Sequence, residues 1–199
     1  MTGKLILIRH GQPVGHDGRC IGHYDTDLAL SAVLGLDRLA ASAVERPTAI
    51  ISSDLKRAAE SAQVLASAWG AKLWLDRRLR EMSFGDWEGR TWEEIGREAL
   101  DAWGSDWARV APPSGESGID FEGRVRAALN ALRLFTLTGP RRVAVVSHAG
   151  WIRVAATTLT NAPLESAFDR SIGYARAAIF TIQKSGATLE AWDVETLSS

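Results

Sequence analysis

KLILIRHGQP, residues Lys4–Pro13, places four consecutive apolar side chains, Leu5 to Ile8, directly before Arg9, His10 and Gly11. A short continuous apolar run bounded by turn residues is the pattern of a strand buried on both faces. An arginine and a histidine stand where that strand should end, and a glycine then frees the backbone. Open α/β sheets bind their ligands just beyond the carboxyl ends of strands. The stretch therefore predicts a buried strand that delivers a cation and an imidazole to a pocket.

Val143-Ala144-Val145-Val146 repeats the arrangement and runs into Ser147-His148-Ala149-Gly150. If the two strands lie parallel in one sheet, His10 and His148 emerge at the same edge. Between them, a glycine-studded loop covers Gly11 to Asp27, and a helix is expected from Ser31 to Val44 on an apolar face of Leu30, Leu34, Leu36 and Leu39. Ala49–Ile51 reads as a second strand. A helix from Leu55 to Trp69 follows, with Ser53 or Asp54 as its cap. Leu73–Leu75 is a third short strand, and Leu79–Gly89 is loop-like. Thr91-Trp92-Glu93-Glu94 has the form of a capping box, and Ser105 is read as the cap of a short helix. Pro112–Gly115 breaks the chain, and a helix is expected from Asp120 to Leu134. A helix from Trp151 to Leu159 and strands at Ala177–Ile182 and Thr188–Trp192 complete the series. Alternating strands and helices predict a three-layer α/β/α fold with a mostly parallel central sheet. Residues 1–199 are read as one domain, with 83–118 as a lid-like helical insertion over one end of the sheet.

At 199 residues the chain buries roughly 70% of its extended surface and needs no disulfide to do so. A formal net charge of −1 argues against a general nucleic-acid or anionic-membrane binder. Arg9 and His10 cut the N-terminal apolar run too short for a signal peptide, and no stretch is apolar enough to span a bilayer. The single cysteine, Cys20, has no internal disulfide partner, so a cytoplasmic setting is the simplest expectation. Nothing in the sequence speaks to oligomeric state.

Arg57 stands in the first turn of the helix that follows the second strand. A cation there opposes the helix dipole at roughly 0.3–1 kcal/mol, and a bound anion reverses that sign. With Arg9, His10 and His148 it makes a pocket for a dianionic oxyanion such as phosphate. Arginine suits this role because its planar fork stays charged and bonds two oxygens at once. A glycine at Gly11 would let backbone amides approach the anion closely. A neutral imidazole is a competent nucleophile near neutral pH.

Arg9-His10-Gly11, Ser53-x3-Arg57-Ala58, Glu81-x2-Phe84-Gly85-x-Trp87-Glu88-Gly89, Pro113-x-Gly115-Glu116-Ser117 and Ser147-His148 stand in this order along the chain. Together they resemble the histidine phosphatase superfamily. The resemblance implies a two-step phosphoryl transfer with His10 as nucleophile. Arg9, Arg57 and His148 would hold the phosphoryl oxygens, Glu81 would act as general acid and then base, and no cofactor would be needed. Met82, Phe84 and Trp87 are expected to surround Glu81 with apolar surface; Asp76, Asp86 and Glu88 are the competing carboxylates. Gln12-Pro13 after the glycine and Ala149 after His148 resemble the mutase-like branch, whose fold is that of phosphoglycerate mutase. Within it, Glu81–Trp87 resembles the phosphatases, and Asp101–Ser117 further resembles alpha-ribazole phosphatases. Members of the family place an Asn five or six residues after the nucleophile. Gly15, His16 and Asp17 stand there, so either His16 serves in its place or the loop is arranged differently. The implied partner is a small phosphorylated metabolite. A mutase-like phosphotransferase and an inactive phospho-ligand binder are the alternatives.

Other signals weigh less. His10, His16 and His23 match no standard metal spacing. Cys20 lacks the Cys-x5-Arg of a cysteine phosphatase, since Thr26 occupies the arginine position. Trp103 and Trp107 share helical spacing and read more readily as packing than as a lid.

Overall fold

The computed structural model describes residues 2–197. Its sheet has six strands in the order β3-β2-β4-β1-β5-β6. β1 (Thr2–Arg9), β2 (Ala49–Ser52), β3 (Lys72–Leu75) and β4 (Arg142–Ser147) are mutually parallel. β5 (Ala177–Gln183) runs antiparallel to β1, and β6 (Gly186–Val194) antiparallel to β5. The mostly parallel α/β sheet expected from the alternation of elements is thus present.

β1 lies between β4 and β5, which is why Leu5 to Ile8 form an unbroken apolar run. Successive side chains alternate between the two faces. Leu5 and Leu7, with Val143 and Val145, pack under helices α5 (Gly118–Thr138) and α6 (Ala149–Thr160). Ile6 and Ile8, with Ala144 and Val146, pack under α1 (Val33–Ala41) and α2 (Lys56–Trp69). The chain leaves β1 toward one face of the sheet and leaves adjacent β4 toward the other. A crevice at such a divergence is where open α/β sheets bind ligands.

Several element ends differ from expectation. A 3-10 turn at Leu30–Ala32 precedes α1, Ser31 does not cap it, and Leu30 and Leu34 are 91% and 69% exposed. The buried stripe of α1 is Leu36, Leu39 and Ala40. α2 is not capped by Ser53 or Asp54: its first amide, Lys56 N, donates to Asp25 Oδ1 of the glycine-rich loop at 2.7 Å. Asp54 instead receives both forks of Arg80 at 2.6 and 2.7 Å. Ser105 ends α4 (Arg97–Ser105) rather than starting a helix. α5 begins earlier than Asp120, capped by Ser117, and runs past Leu134 to Thr138. The capping box at Thr91 is formed and starts the one-turn helix α3 (Trp92–Ile95). No helix of the described residues is long and apolar enough to cross a membrane.

Candidate active site

The register pairs Arg9 with Ser147 and Ser52 with Val146, so β1, β2 and β4 end level with one another. The ladder continues past the strand ends, with His10 N donating to Ser147 O at 3.0 Å and Ser53 N to Val146 O at 2.9 Å. This brings the two histidines together, as their matching strand ends predict. Their rings meet edge to face with centroids 5.0 Å apart.

The tautomer of His10 is set by its neighbour. Nδ1 lies 2.6 Å from the carbonyl oxygen of Gly11, which can only accept, so Nδ1 carries the proton. Nε2 is left with its lone pair. His148 Nε2 lies 2.9 Å from Ser53 Oγ, while its Nδ1 is buried without a partner among the described residues. Ser53 Oγ accepts from Leu55 N and can donate its own proton to His148 Nε2. His148 then presents an Nδ1–H beside His10.

Both imidazoles are pushed well below the usual histidine range of 6.5, by burial first and then by the Arg57 guanidinium. Such groups stay neutral as pH falls through 6.5 and protonate only further down. We therefore expect kcat/KM, corrected for ionisation of the substrate, to hold its plateau through pH 6.5 and fall only at lower pH. A pH–rate profile with its acid limb at or above 6.5 would contradict a neutral His10 in the free enzyme. Linkage has the same sign: the stability these neutral rings contribute is fully present above 6.5 and is lost as pH falls through their folded values.

Two arginines line the same cavity as His10. Arg57 is only 2% exposed and is held by the carbonyls of Gly22 and Tyr24 at 2.7 and 3.0 Å. Arg9 donates to Ile172 O at 2.7 Å, and its guanidinium lies flat on Tyr174, 3.6 Å from the ring centroid. Its Nε is buried with no partner among the described residues. Unspent donors on a buried cation are what an oxyanion would satisfy.

Gly11 has a different part from the expected one. Its amide donates to Ser61 Oγ at 3.0 Å and is not available to an anion. A Cβ there would lie 2.8 Å from both Leu28 and Ala32, so the glycine permits close packing of the loop. Its contribution to the site is the carbonyl that orients His10.

The Glu81 carboxylate faces the first turn of α6. Oε2 accepts from Gly150 N at 2.9 Å; Oε1 accepts from Trp151 N at 3.0 Å and Met82 N at 3.1 Å. A helix N-terminus is a natural seat for a carboxylate. The expected apolar surround is only partly formed, because Trp87 packs instead with Cys20, Ile95 and Trp103. The competing carboxylates are engaged elsewhere: Asp76 by Arg78, Asp86 by Ser114, and Glu88 by Ser83 and the Phe84 amide. A Cβ on Gly150 would overlap Glu81 Oε1. Gly150→Ala is therefore expected to displace the carboxylate and lower kcat by about 10- to 100-fold. An unchanged kcat would mean that this seat has no bearing on turnover.

These groups open onto a cavity of about 360 Å³. Arg9, His10, His16, Arg57, Glu81, Phe84, Trp103, Arg153, Phe168 and Tyr174 are among the residues that line it. His148, 1% exposed, adjoins His10 and is not itself among the lining residues. His16 reaches the pocket with its ring edge-on to Tyr174, at 5.5 Å, and Nε2 3.2 Å from Asp17 Oδ1. Trp103 is a wall residue, whereas Trp107 lies beyond the end of α4 and packs edge-on against Phe168 at 4.6 Å. Cys20 is buried, with its thiol pushed up to about 12 by burial and then by Glu88, so it is no thiolate nucleophile. Among the described residues no three His, Cys, Asp or Glu side chains converge to hold a metal ion.

Sequence reasoning missed Tyr174 and Arg153. Tyr174 sits in an irregular segment with no periodic signal. Arg153 reads as one more polar residue of a helix, and only the placement of α6 beside the sheet edge turns it toward the pocket. His23, considered only as a metal ligand, supports the general-acid candidate through Nε2, 2.7 Å from the Glu81 carbonyl.

Two level strand ends bring histidines, flanking arginines and a carboxylate together, a set of groups suited to phosphoryl transfer. Comparison with known proteins gives the same class. The sequence pattern of the histidine phosphatase superfamily (branch 1) matches residues 5–195, and the chain belongs to that family. It is 34% identical over 176 residues to a glucosyl-3-phosphoglycerate phosphatase of Mycolicibacterium vanbaalenii, covering 82% of this chain and 76% of the relative. It is 30% identical over 169 residues to the adenosylcobalamin/alpha-ribazole phosphatase of Escherichia coli, covering 82% of each. Among solved structures, the alpha-ribazole phosphatase of Shigella flexneri superposes with a TM-score of 0.88 at 26% identity over 98% of both chains. A mycobacterial glucosyl-3-phosphoglycerate phosphatase superposes at 0.84 with 27% identity, over 98% of this chain and all of that one. The protein is a phosphatase.

Proposed function

We propose that the protein hydrolyses a phosphomonoester of a small metabolite through a phosphohistidine on His10. The observation that carries this is the His10 tautomer: Nδ1–H is tied to Gly11 O, and the ring lines a cavity shared with Arg9, Arg57 and Glu81. In the first step Nε2 attacks phosphorus and the bond to the ester oxygen breaks. The departing oxygen takes a proton from the Glu81 carboxyl. Oε2 accepts only one amide bond and so keeps a lone pair for that proton. In the second step water gives a proton to Glu81 and attacks phosphorus. The P–N bond breaks, releasing phosphate and restoring the imidazole. Arg9, Arg57 and the Nδ1–H of His148 hold the equatorial oxygens, where fixed charge stabilises the transition state. His16 reaches the same phosphoryl group from the loop in place of the family's asparagine. The charges this mechanism needs are the protein's own.

The test is rapid mixing with a phosphorus-labelled ester, followed by quenching in base. A labelled protein that is stable to base and labile to acid supports the intermediate, and its absence during turnover counts against it. Release of phosphate without an isomerised ester separates a phosphatase from a mutase-like transferase. For the alcohol, the likeness to alpha-ribazole phosphatases favours alpha-ribazole 5′-phosphate, and the likeness to glucosyl-3-phosphoglycerate phosphatases favours an ester of glycerate.

A further inference from the structure

Arg153 and Arg19 are the charged groups among the lining residues that the hydrolysis above does not use, and Arg19 donates to Gly89 O on the loop side. Arg153 lies on α6, a turn beyond Ala149, and lines both the main cavity and a smaller one bounded by Glu81, Met82, Phe84 and Phe168. Its Nε donates to Ala149 O at 3.1 Å, and its guanidinium rests over the Phe168 ring at 4.7 Å from the centroid. These two contacts set the plane and direction of the fork. No hydrogen bond or ion pair engages its terminal nitrogens among the described residues. Arg80, Arg124, Arg142 and Arg176 are half-buried too, and each has a carboxylate partner. Arg153 is held in position with its bidentate edge unspent.

The position of Arg153 relative to Glu81 tells which part of a substrate it meets. The phosphoryl group belongs among Arg9, Arg57 and His10, so the ester oxygen faces Glu81. Glu81 and Arg153 are the two charged residues shared by the main and the smaller cavity. Beyond Glu81, the alcohol therefore enters a space walled by Phe84 and Phe168, with Arg153 as its cation. The indole Nε1 of Trp103, on the same wall, is buried without a partner among the described residues and adds a donor suited to a hydroxyl.

We infer that the substrate is a phosphomonoester whose alcohol carries a carboxylate a few bonds from the ester oxygen, and that Arg153 is the specificity residue that reads it. One planar fork matches a carboxylate in charge and geometry; a second phosphate dianion would call for more than one cation. A leaving group with no charge would close the cavity over an unpaired guanidinium, which is costly. This inference rests on the phosphatase reading above and chooses among its substrates.

The experiment compares 3-phosphoglycerate with glycerol 3-phosphate, which share a skeleton and differ in carboxylate against hydroxymethyl, with alpha-ribazole 5′-phosphate as the nucleoside arm. The wild type is expected to favour 3-phosphoglycerate over glycerol 3-phosphate by about ten-fold or more in kcat/KM. Arg153→Gln should lower kcat/KM for 3-phosphoglycerate by about ten-fold, chiefly through KM, and that for glycerol 3-phosphate by no more than about three-fold. Arg153→Lys keeps the charge without the fork and should fall between, and it carries the test if the glutamine variant folds poorly. The inference is overturned if the wild type has no carboxylate preference, if alpha-ribazole 5′-phosphate is the better substrate, or if the folded variants lose all three esters alike. In each of those cases the wild type still releases phosphate in a His10-dependent way, whereas absence of release by the wild type on every ester would strike the phosphatase reading itself.

Discussion

Replacing His10 by alanine is expected to lower phosphate release by about 10⁴-fold or more. Among the described residues no neighbouring side chain is placed to take over from His10. His148 stands behind it at 5.0 Å between ring centroids, with Nε2 committed to Ser53, and Cys20 is buried in a separate apolar cluster with its thiol protonated. The arginines do not depend on the imidazole for their positions. Arg57 is anchored by Gly22 and Tyr24, and Arg9 by Ile172 and the face of Tyr174. His10→Ala should therefore still bind inorganic phosphate, detectable by calorimetry, while forming no phosphoprotein. Turnover within about ten-fold of wild type would remove His10 from the mechanism. Loss of phosphate binding together with turnover would show that the imidazole organises the pocket rather than attacking the substrate.

Glu81→Gln is expected to lower kcat by about 10²–10⁴-fold on an alkyl phosphate, the range that a positioned acid–base group supplies. A glutamine keeps one carbonyl oxygen, which serves either the Gly150 amide or the Trp151 and Met82 amides but not both, and it can neither donate the proton to the ester oxygen nor take one from water. The leaving group separates this role from a structural one. With p-nitrophenyl phosphate the departing phenolate needs little protonation, so formation of the phosphoenzyme should be nearly as fast as in wild type and its hydrolysis slow. A burst of p-nitrophenol followed by a slow steady state is the expected signature. An equal loss on both esters, with no burst, would mean that Glu81 only seats the first turn of α6.

The two strand ends were legible because each apolar run gives way to a polar residue and then a histidine, Arg9-His10 and Ser147-His148, where a strand buried on both faces must end. Arg57 could be located because α2 reads clearly as a helix. What misled was side-chain economy at the ends of elements. Ser53 looks like a helix cap, yet its hydroxyl serves His148, and the cap comes from Asp25 on a distant loop. Gly11 looks like an opening for backbone to reach an anion, yet its amide belongs to Ser61. Leu30 and Leu34 fit a helical stripe, but a 3-10 turn ahead of α1 leaves them in solvent. In each case more than one partner was chemically suitable, and only the packing of segments far apart in sequence selected among them.

The ordered motifs carry the resemblance that implies the class of reaction; taken alone, the sequence also determines the order of strands and helices and places His10, Arg9 and Arg57 at their ends. These follow from local pattern: an apolar run of strand length, a period of 3.6, and chemistry placed at the ends of both. Tertiary structure alone decides which partners each histidine nitrogen meets, how Glu81 is seated, and which residues wall the cavity. Those depend on hydrogen bonds between Ser53 and His148, Gly150 and Glu81, and on the wall formed by Phe84, Trp103, Arg153 and Phe168. Contacts of that kind join residues that no periodicity links, because the sheet brings them together only after β1, β2 and β4 have aligned their ends.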